Sequence, residues 1–373
     1  MNDSLSARLD GERLRRMRTA RGLARADLAA QVGITQSTLT RLETDQVSID
    51  ESTLDGLAEA LRCRPELLSR PLRADLYTRP WLRAYADANK RDVDRHVADT
   101  LLAIEAVEQL GLRRMPDVLP TFRGDLSDAA AIDDFAMTVR EAADIEADAP
   151  VGNVTRACER LGCVVLPLES ELGKHLGMSM YANGVPVIRV AGAGSVPGDR
   201  QRFTVAHELA HLTLHADQPP PETAEEAKTI EQQAHRFAGS FLLPGDAFLA
   251  HLDELGGRVT LSTLAKLKET WGVAIKAMVV RLQQIGRIDA DQARSLYKQI
   301  SSRDWNKSEP VEVGNEKAIW LHSSAKERLG SDYLDEFAAR SLLSSAVIGP
   351  WLAWDEPHHA ELVDLASRRR SRS

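Results

Sequence analysis

Apolar positions between residues 8 and 68 recur at intervals of three and four in short blocks, which predicts a run of short helices. Leu9, Arg13, Leu14 and Met17 mark one face of a first helix that Gly22 ends. Leu28, Ala29 and Val32 mark a second, closed by Gly33, a residue that tolerates the positive φ of a turn. Thr35 is placed to cap a third helix whose Leu39 and Leu42 face inward. Ser52 is expected to cap a fourth helix carrying Leu54, Leu57 and Leu61, and Pro65 suits the first turn of a fifth. Helices this short are stable only when packed together, so residues 8–68 read as a small all-α domain.

From Pro71 to about Pro120 the pattern stays helical over a longer repeat, with Val93, Val97, Leu101, Leu102, Ile104 and Ala106 in a charged background. This fits a linking helix and equally a pairing helix for a second copy of the chain. Residues 125–150 are acidic and alanine-rich, and predict a solvated helix without a special role. The pattern then changes to short β-type runs. Gly162 to Leu166, Met178 to Tyr181 and Pro186 to Val190 predict strands, with a turn at Gly184 between the last two. A glycine-rich loop leads into a helix from about Arg200 to His215, which Pro219-Pro220-Pro221 ends. A helix over Glu231 to Leu243 stops at Pro244-Gly245. The pair Leu261–Trp271 and Ala274–Ile285 has helix-turn-helix spacing, but is better read as core-completing helices. The fold class is multidomain, mainly α with an α+β part. Its units are 8–68, a helical linker over 72–150, an α+β unit over 151–290, and a helical extension over 291–373 with a basic tail.

Composition narrows the class. The 373 residues are 43% hydrophobic and 27% charged, an ordinary globular balance that excludes a disordered chain. A net charge of −8 excludes a generic polyanion binder. The average hides seven arginines between Arg8 and Arg25, and four more in Arg368 to Ser373. Cys63, Cys158 and Cys163 are too few and too irregular for a disulfide framework or a cysteine metal site, and fit buried thiols in a reducing compartment. No signal-peptide pattern opens the chain and no apolar run is long enough to span a membrane, so a cytoplasmic protein without a membrane partner is expected.

The densest chemistry is His207-Glu208-Leu209-Ala210-His211. Residues four apart share one helix face, so His207 and His211 can direct a nitrogen each at one metal ion. Glu208 borders the same position and can act on a water there. The bland alternative is a helix with two surface histidines.

Residues 22–43, GLARADLAAQVGITQSTLTRLE, resemble the Cro/C1-type (XRE) helix-turn-helix family, and the resemblance spans about residues 8–66. It implies a lambda-repressor-like domain that binds a double-stranded DNA operator with the third helix in the major groove. By that match Gln36, Ser37, Thr40 and Arg41 face DNA. Arg25 meets a phosphate, and the arginines of the first helix neutralise others. The chain departs from the family at Ala24-Arg25, where the usual hydroxyl cap of the second helix is missing. Operator symmetry suggests a homodimer, paired through the helices of 72–120.

Two blocks, Arg202 to His211 and Glu231 to Pro244, resemble the ImmA/IrrE family, together with the strands before them, over about residues 155–285. The resemblance implies a gluzincin-like zinc peptidase fold with Glu231 as third ligand. Two imidazoles and a carboxylate are a donor set of catalytic zinc, here one Zn²⁺ per chain held by His207, His211 and Glu231. Glu208 is then the catalytic base. His215, four residues past His211, drifts round the helix and is given a structural or ligand-supporting role rather than a ligand's. His235, where the family commonly has Asn, is a candidate for a supporting bond or for stabilising the oxyanion. Tyr181 and His175 are further candidates for the oxyanion. An extended substrate is expected to add to the sheet edge near Val187 to Val190.

Two functions follow from the resemblances. The first is a transcriptional regulator that cleaves a protein of helix-turn-helix repressor type, in cis or in trans, during a stress, phage or mobile-element response. The second is a regulator whose zinc domain senses a ligand or metal without proteolysis.

Overall fold

Five short helices open the computed structural model, which describes residues 9–45, 48–72, 76–78, 80, 89–112, 115–168, 176–192, 194 and 196–354. Arg8 and the basic tail from Arg368 lie outside the described residues. The helices are α1 (Gly11–Ala20), α2 (Arg25–Val32), α3 (Gln36–Leu42), α4 (Glu51–Leu61) and α5 (Pro65–Leu68). Their ends follow local chemistry. The Asp10 carboxylate caps α1 and Thr35 caps α3, each accepting from a backbone N–H three residues on. Asp50, not Ser52, caps α4, since the stronger acceptor two residues earlier reaches Thr53 N. Ala24 leaves α2 without a side-chain cap, and Gly33 closes it at φ 76°.

α6 (Lys90–Leu110) lies along α1, with Val93, Leu101, Leu102 and Ile104 buried. α7 (Ala129–Ala142) is not the solvated helix its composition suggests. Ile132, Ala136, Val139 and Arg140 are buried, and α7 packs along a later helix. Asp134 and Glu141 are exposed, while Asp133 faces inward and bonds to Arg236 and Ser240 of a later helix, so alanine-rich spacing hides a narrow packed face from a composition count.

After α8 (Val154–Arg160) come β1 (Val164–Leu168), β2 (Gly177–Ala182) and β3 (Val185–Ala191). β2 and β3 form a hairpin through Asn183 (φ 52°) and Gly184 (φ 80°), the pair that suits a tight turn of matching twist. β1 then pairs with β3 in parallel, giving the order β1-β3-β2. Val187 to Val190 therefore lie in the central strand, which overturns the expectation of a substrate edge there. The outer strands are β1 and β2. Short β-type apolar runs show where the strands are but not which one ends in the middle.

The helices that follow are α9 (Gly198–Leu214), α10 (Ala224–Leu242), α11 (Gly245–Glu254), α12 (Leu261–Trp271), α13 (Ile275–Gln284), α14 (Ala290–Ser302), α15 (Trp320–Leu329), α16 (Tyr333–Ser341) and α17 (Ser345–Leu352). α12 and α13 bury Leu264, Leu267, Trp271, Ile275, Met278 and Leu282, and so complete a core. Their Lys268 and Arg281 are spent inside, on Asp199 with Glu309 and on Leu243 O with Asp133.

The sheet is covered on both faces. Val165, Ile188 and Val190 join the core beneath α9, α10, α12 and α13. Val164, Leu166, Met178, Met180, Ala182 and Val187 join a second core. That core also holds Leu14, Met17, Leu39 and Leu57 of the first helices, Leu101 of α6, and Phe337 and Trp351 of α16 and α17. The C-terminal helices close over it through the Cys63–Leu343 bridge and the Arg64 N–Leu342 O and Ser344 N–Arg62 O bonds. Asp99 of α6 ties these layers together. It accepts from Arg21 at the end of α1 (2.8 Å), Arg189 of β3 (2.7 Å) and Trp351 Nε1 of α17 (3.0 Å). Burial works to raise the Asp99 carboxyl, but the two guanidinium groups outweigh it and hold it below its ordinary value.

Candidate metal centre and DNA-facing helix

α9 crosses one face of the sheet and rests closely on β2, because Gly177 gives it room. A Cβ at Gly177 would lie 2.7 Å from Thr204 Cγ2 and 3.1 Å from Glu208 Cγ. The close approach lets Ser179 Oγ of β2 donate to Glu208 Oε2 at 2.7 Å. α10, opened by a capping box between Thr223 and Glu226, lies along α9 and presents Glu231 to the same point.

Three donor atoms converge there. His207 Nε2 and His211 Nε2 are 3.1 Å apart, and Glu231 places its two oxygens 3.3 Å from the first and 3.6 Å from the second. Donors around a tetrahedral zinc with bonds of about 2.0–2.1 Å are spaced about 3.3 Å apart, so the set fits such an ion. His235, one turn along α10 from Glu231, also has a ring nitrogen within 4.8 Å of donor atoms of His207 and Glu231. We favour His211 as the third donor over His235. Its Nε2 faces both partners at 3.1 and 3.6 Å, and a chain of bonds behind it fixes its ring.

That chain decides the tautomer. Gln233 Nε2 donates to Leu126 O (3.0 Å), so Gln233 Oε1 accepts from His215 Nε2 (3.1 Å). His215 Nδ1 is then an acceptor for His211 Nδ1–H (3.0 Å), which leaves the Nε2 lone pair of His211 facing the site. His215 thus takes the supporting place the helix drift assigned to it. Burial pushes His211 down to about 4 and His215 down to about 3, so both rings are neutral near pH 7, the form that binds metal. Burial works to raise Glu231, and the bonds and charges of His207 and His211 outweigh it, holding the carboxyl well below its ordinary range. Glu208 responds the other way. Burial pushes it up to about 7, against the pull of His207 and the Ser179 bond, and a group titrating there can both take and give a proton.

Tyr181 does not present its hydroxyl as an oxyanion partner. Its OH donates to Leu212 O on α9 (3.1 Å), because alternation along β2 places it one step beyond Ser179 on the helix-facing side. His175 lies outside the described residues. Ser179, Gln233 and Gly177 are the functional positions that sequence reasoning missed. Gln233 stands two residues from Glu231 in the matching block, but nothing in the sequence links it to His215.

On α3, Gln36, Ser37, Thr40 and Arg41 are exposed on one side, while Leu39 and Leu42 are buried on the other. Ser37 contacts Thr35 Oγ1, and Thr40 Oγ1 donates to Gln36 O, so among the described residues these polar side chains bond within their own turn. Arg25 is half-exposed and bonded to Glu43, which it shares with Arg18. The expectation that the arginines of the first helix neutralise phosphates is corrected for three of them. Arg13 is buried on Glu105, Arg18 is bonded to Glu43, and Arg21 is bonded to Asp99. Each sits on the inward stripe of α1 or at its end, where a guanidinium needs a buried partner.

Two protein-family models match the chain. Residues 158–283 match the IrrE N-terminal-like domain of the M78 peptidases, a metallopeptidase-type family. Residues 14–68 match a helix-turn-helix family. No curated protein matches it. No helix among the described residues is long and apolar enough to cross a membrane.

Proposed function

Because the chain joins a helix-turn-helix DNA-binding domain to a metallopeptidase-type IrrE N-terminal-like domain, we propose that it is a transcriptional regulator with a zinc-dependent endopeptidase activity. It holds one Zn²⁺ through His207, His211 and Glu231, and it cleaves a repressor-type protein, in cis or in trans. The observation that carries this reading is the convergence of those donors at 3.1–3.6 Å with Glu208 alongside. A zinc ion in such a set acidifies a water and polarises a carbonyl. The chain's own residues do the rest. Glu208 takes a proton from the attacking water at a carboxylate oxygen and returns it to the leaving amine nitrogen, and Ser179 holds that carboxylate in place. His215 and Gln233 keep the His211 lone pair on the site. The operator is read from α3 through Gln36, Ser37, Thr40 and Arg41, with Arg25 at the backbone, in the cytoplasm and at the nucleoid.

A sensing role without proteolysis has one observation in its favour: the Arg21–Asp99–Arg189 bonds run from the end of α1 to the strand beside the metal centre. Glu208→Gln separates the two readings. Both parent and variant should bind one zinc, and only the parent should cut a co-expressed repressor or itself, with the loss in the variant complete. If parent and variant leave every protein intact while operator binding follows zinc, sensing replaces proteolysis.

A further inference from the structure

Leu76, Tyr77 and Thr78 lie along the outer side of β2. Thr78 N donates to Tyr181 O (3.0 Å), Asn183 N donates to Leu76 O (2.7 Å), and Tyr77 faces Ala182 in an antiparallel bridge. Two side chains add to these bonds: Thr78 Oγ1 accepts from Tyr181 N (2.9 Å) and Asn183 Oδ1 from Leu76 N (3.2 Å). The antiparallel register fixes direction. The segment runs from the Asn183 end of β2 toward the Gly177 end, where Ser179 holds Glu208.

Tyr181 turns both its N–H and its C=O outward to meet Thr78. Alternation along the strand turns those of Ser179 and Gly177 to the same side. The outer edge of β2 is thus one row of main-chain groups leading to Glu208. A polypeptide added antiparallel to this edge would run in the direction of Leu76–Thr78 and would need the same Tyr181 groups.

We propose that Leu76–Thr78 is a built-in competitor for the strand-addition edge of the peptidase domain, so that an extended polypeptide takes the full edge only after this segment leaves. The inference rests on the peptidase reading above. Attachment of the segment suits exchange. Leu76 is 80% exposed and Tyr77 52%, so hydrogen bonds rather than side-chain burial hold it, and an incoming strand can replace those bonds one for one. Position suits control, because the segment lies in the chain between α5 and α6, whose Leu67, Leu68 and Val93 belong to the core that the first helices share with the sheet.

The test uses the zinc-loaded full chain and fluorescein-labelled β-casein as the extended polypeptide. Thr78→Pro removes the amide that donates to Tyr181 O and the hydroxyl that accepts from Tyr181 N. Asn183→Gly removes the Oδ1 acceptor yet keeps a residue suited to φ 52°. In a Glu208→Gln background, which separates binding from cleavage, Thr78→Pro should bind casein about 10-fold more tightly and Asn183→Gly by a smaller factor, as expected when a competing state is removed. The Tyr181 and Asn183 amides should lose hydrogen-exchange protection in the Thr78→Pro chain. With Glu208 intact, KM should fall and kcat should hold. Unchanged casein affinity despite freed amides overturns the proposal, as does unchanged protection of those amides in both variants. Casein cleavage by the parent then shows that the peptidase reading survives. If neither parent nor variants bind or cut casein, both fall.

Discussion

At the candidate metal centre His211 and Glu208 lean on neighbours, whereas the buried His207 Nδ1 has no hydrogen-bond partner among the described residues. His211 bonds to His215, His215 to Gln233, Gln233 to Leu126 O, and Glu208 to Ser179. On α3 the outward side chains of Ser37 and Thr40 bond, among the described residues, within their own turn, and Gln36 and Arg41 are exposed. The contrast matches the two proposed ligands. An ion held by three atoms needs them fixed before it arrives, because a misplaced donor is a lost bond. A DNA groove presents many edges, and side chains that can rotate adjust to it with water filling the gaps.

The comparison breaks first at the donors. His211→Ala should lower zinc affinity more than about 100-fold, since it removes one of three protein donors from a site of roughly 10 kcal/mol. Competition with a chromophoric chelator measures it. Operator affinity well below the melting temperature should stay within about twofold, as for distant sites. A parallel loss of operator binding would mean that the two regions are not separately tuned.

One bond further out, His215→Phe keeps the ring shape and loses both nitrogens. Zinc affinity should fall about 10–100-fold with His211 still present. An unchanged affinity would show that the bond chain does not fix the His211 ring.

On the other side of the comparison, Arg41→Ala should weaken operator binding about 10-fold and leave zinc affinity alone. Parent binding should weaken steeply as salt rises, read by fluorescence anisotropy in a salt series. Binding indifferent to both changes would remove α3 as the reading helix.

The smallest effect is a pH dependence of the metal-free protein. His211 and His215 titrate below their ordinary value of 6.5, at about 4 and about 3, so their contribution is whole above pH 6.5 and is lost as pH falls toward those values. Glu208, raised to about 7 from 4.5, acts in the opposite sense and loses stability as pH rises through that window. His96, also held down to about 3 by burial, adds to His211 and His215, and three histidines against one carboxyl leave a net fall in stability on acidification, with a slope of about two protons. Denaturant melts from pH 6.5 to 4.5 measure it, and the slope should shrink in His215→Phe.

His207, Glu208 and His211 were legible in the sequence because helix spacing is local, and Glu231 because a second block matched a known pattern. Ser179 was not legible. It reaches Glu208 from a strand, 29 residues away in sequence, and a lone serine among apolar residues carries no periodic signal. The helices and strands of both halves were legible for the same local reason. How the halves meet was not. Arg13 and Asp99 did leave a trace, as charged residues on stripes that are otherwise apolar, and both prove to be buried in ion pairs between elements. The central place of β3 follows from a parallel return of β1, a long-range pairing that no local pattern encodes.

The two-faced sheet makes the halves one cooperative unit. Melting β1–β3 would uncover the α9 core and the core beneath the first helices together, so calorimetry should see a single transition rather than two. A ligand that binds only the folded chain raises the stability of everything in that unit. On the proposed reading, zinc supply would then set the thermal ceiling of the helix-turn-helix domain as well as of the candidate metal centre.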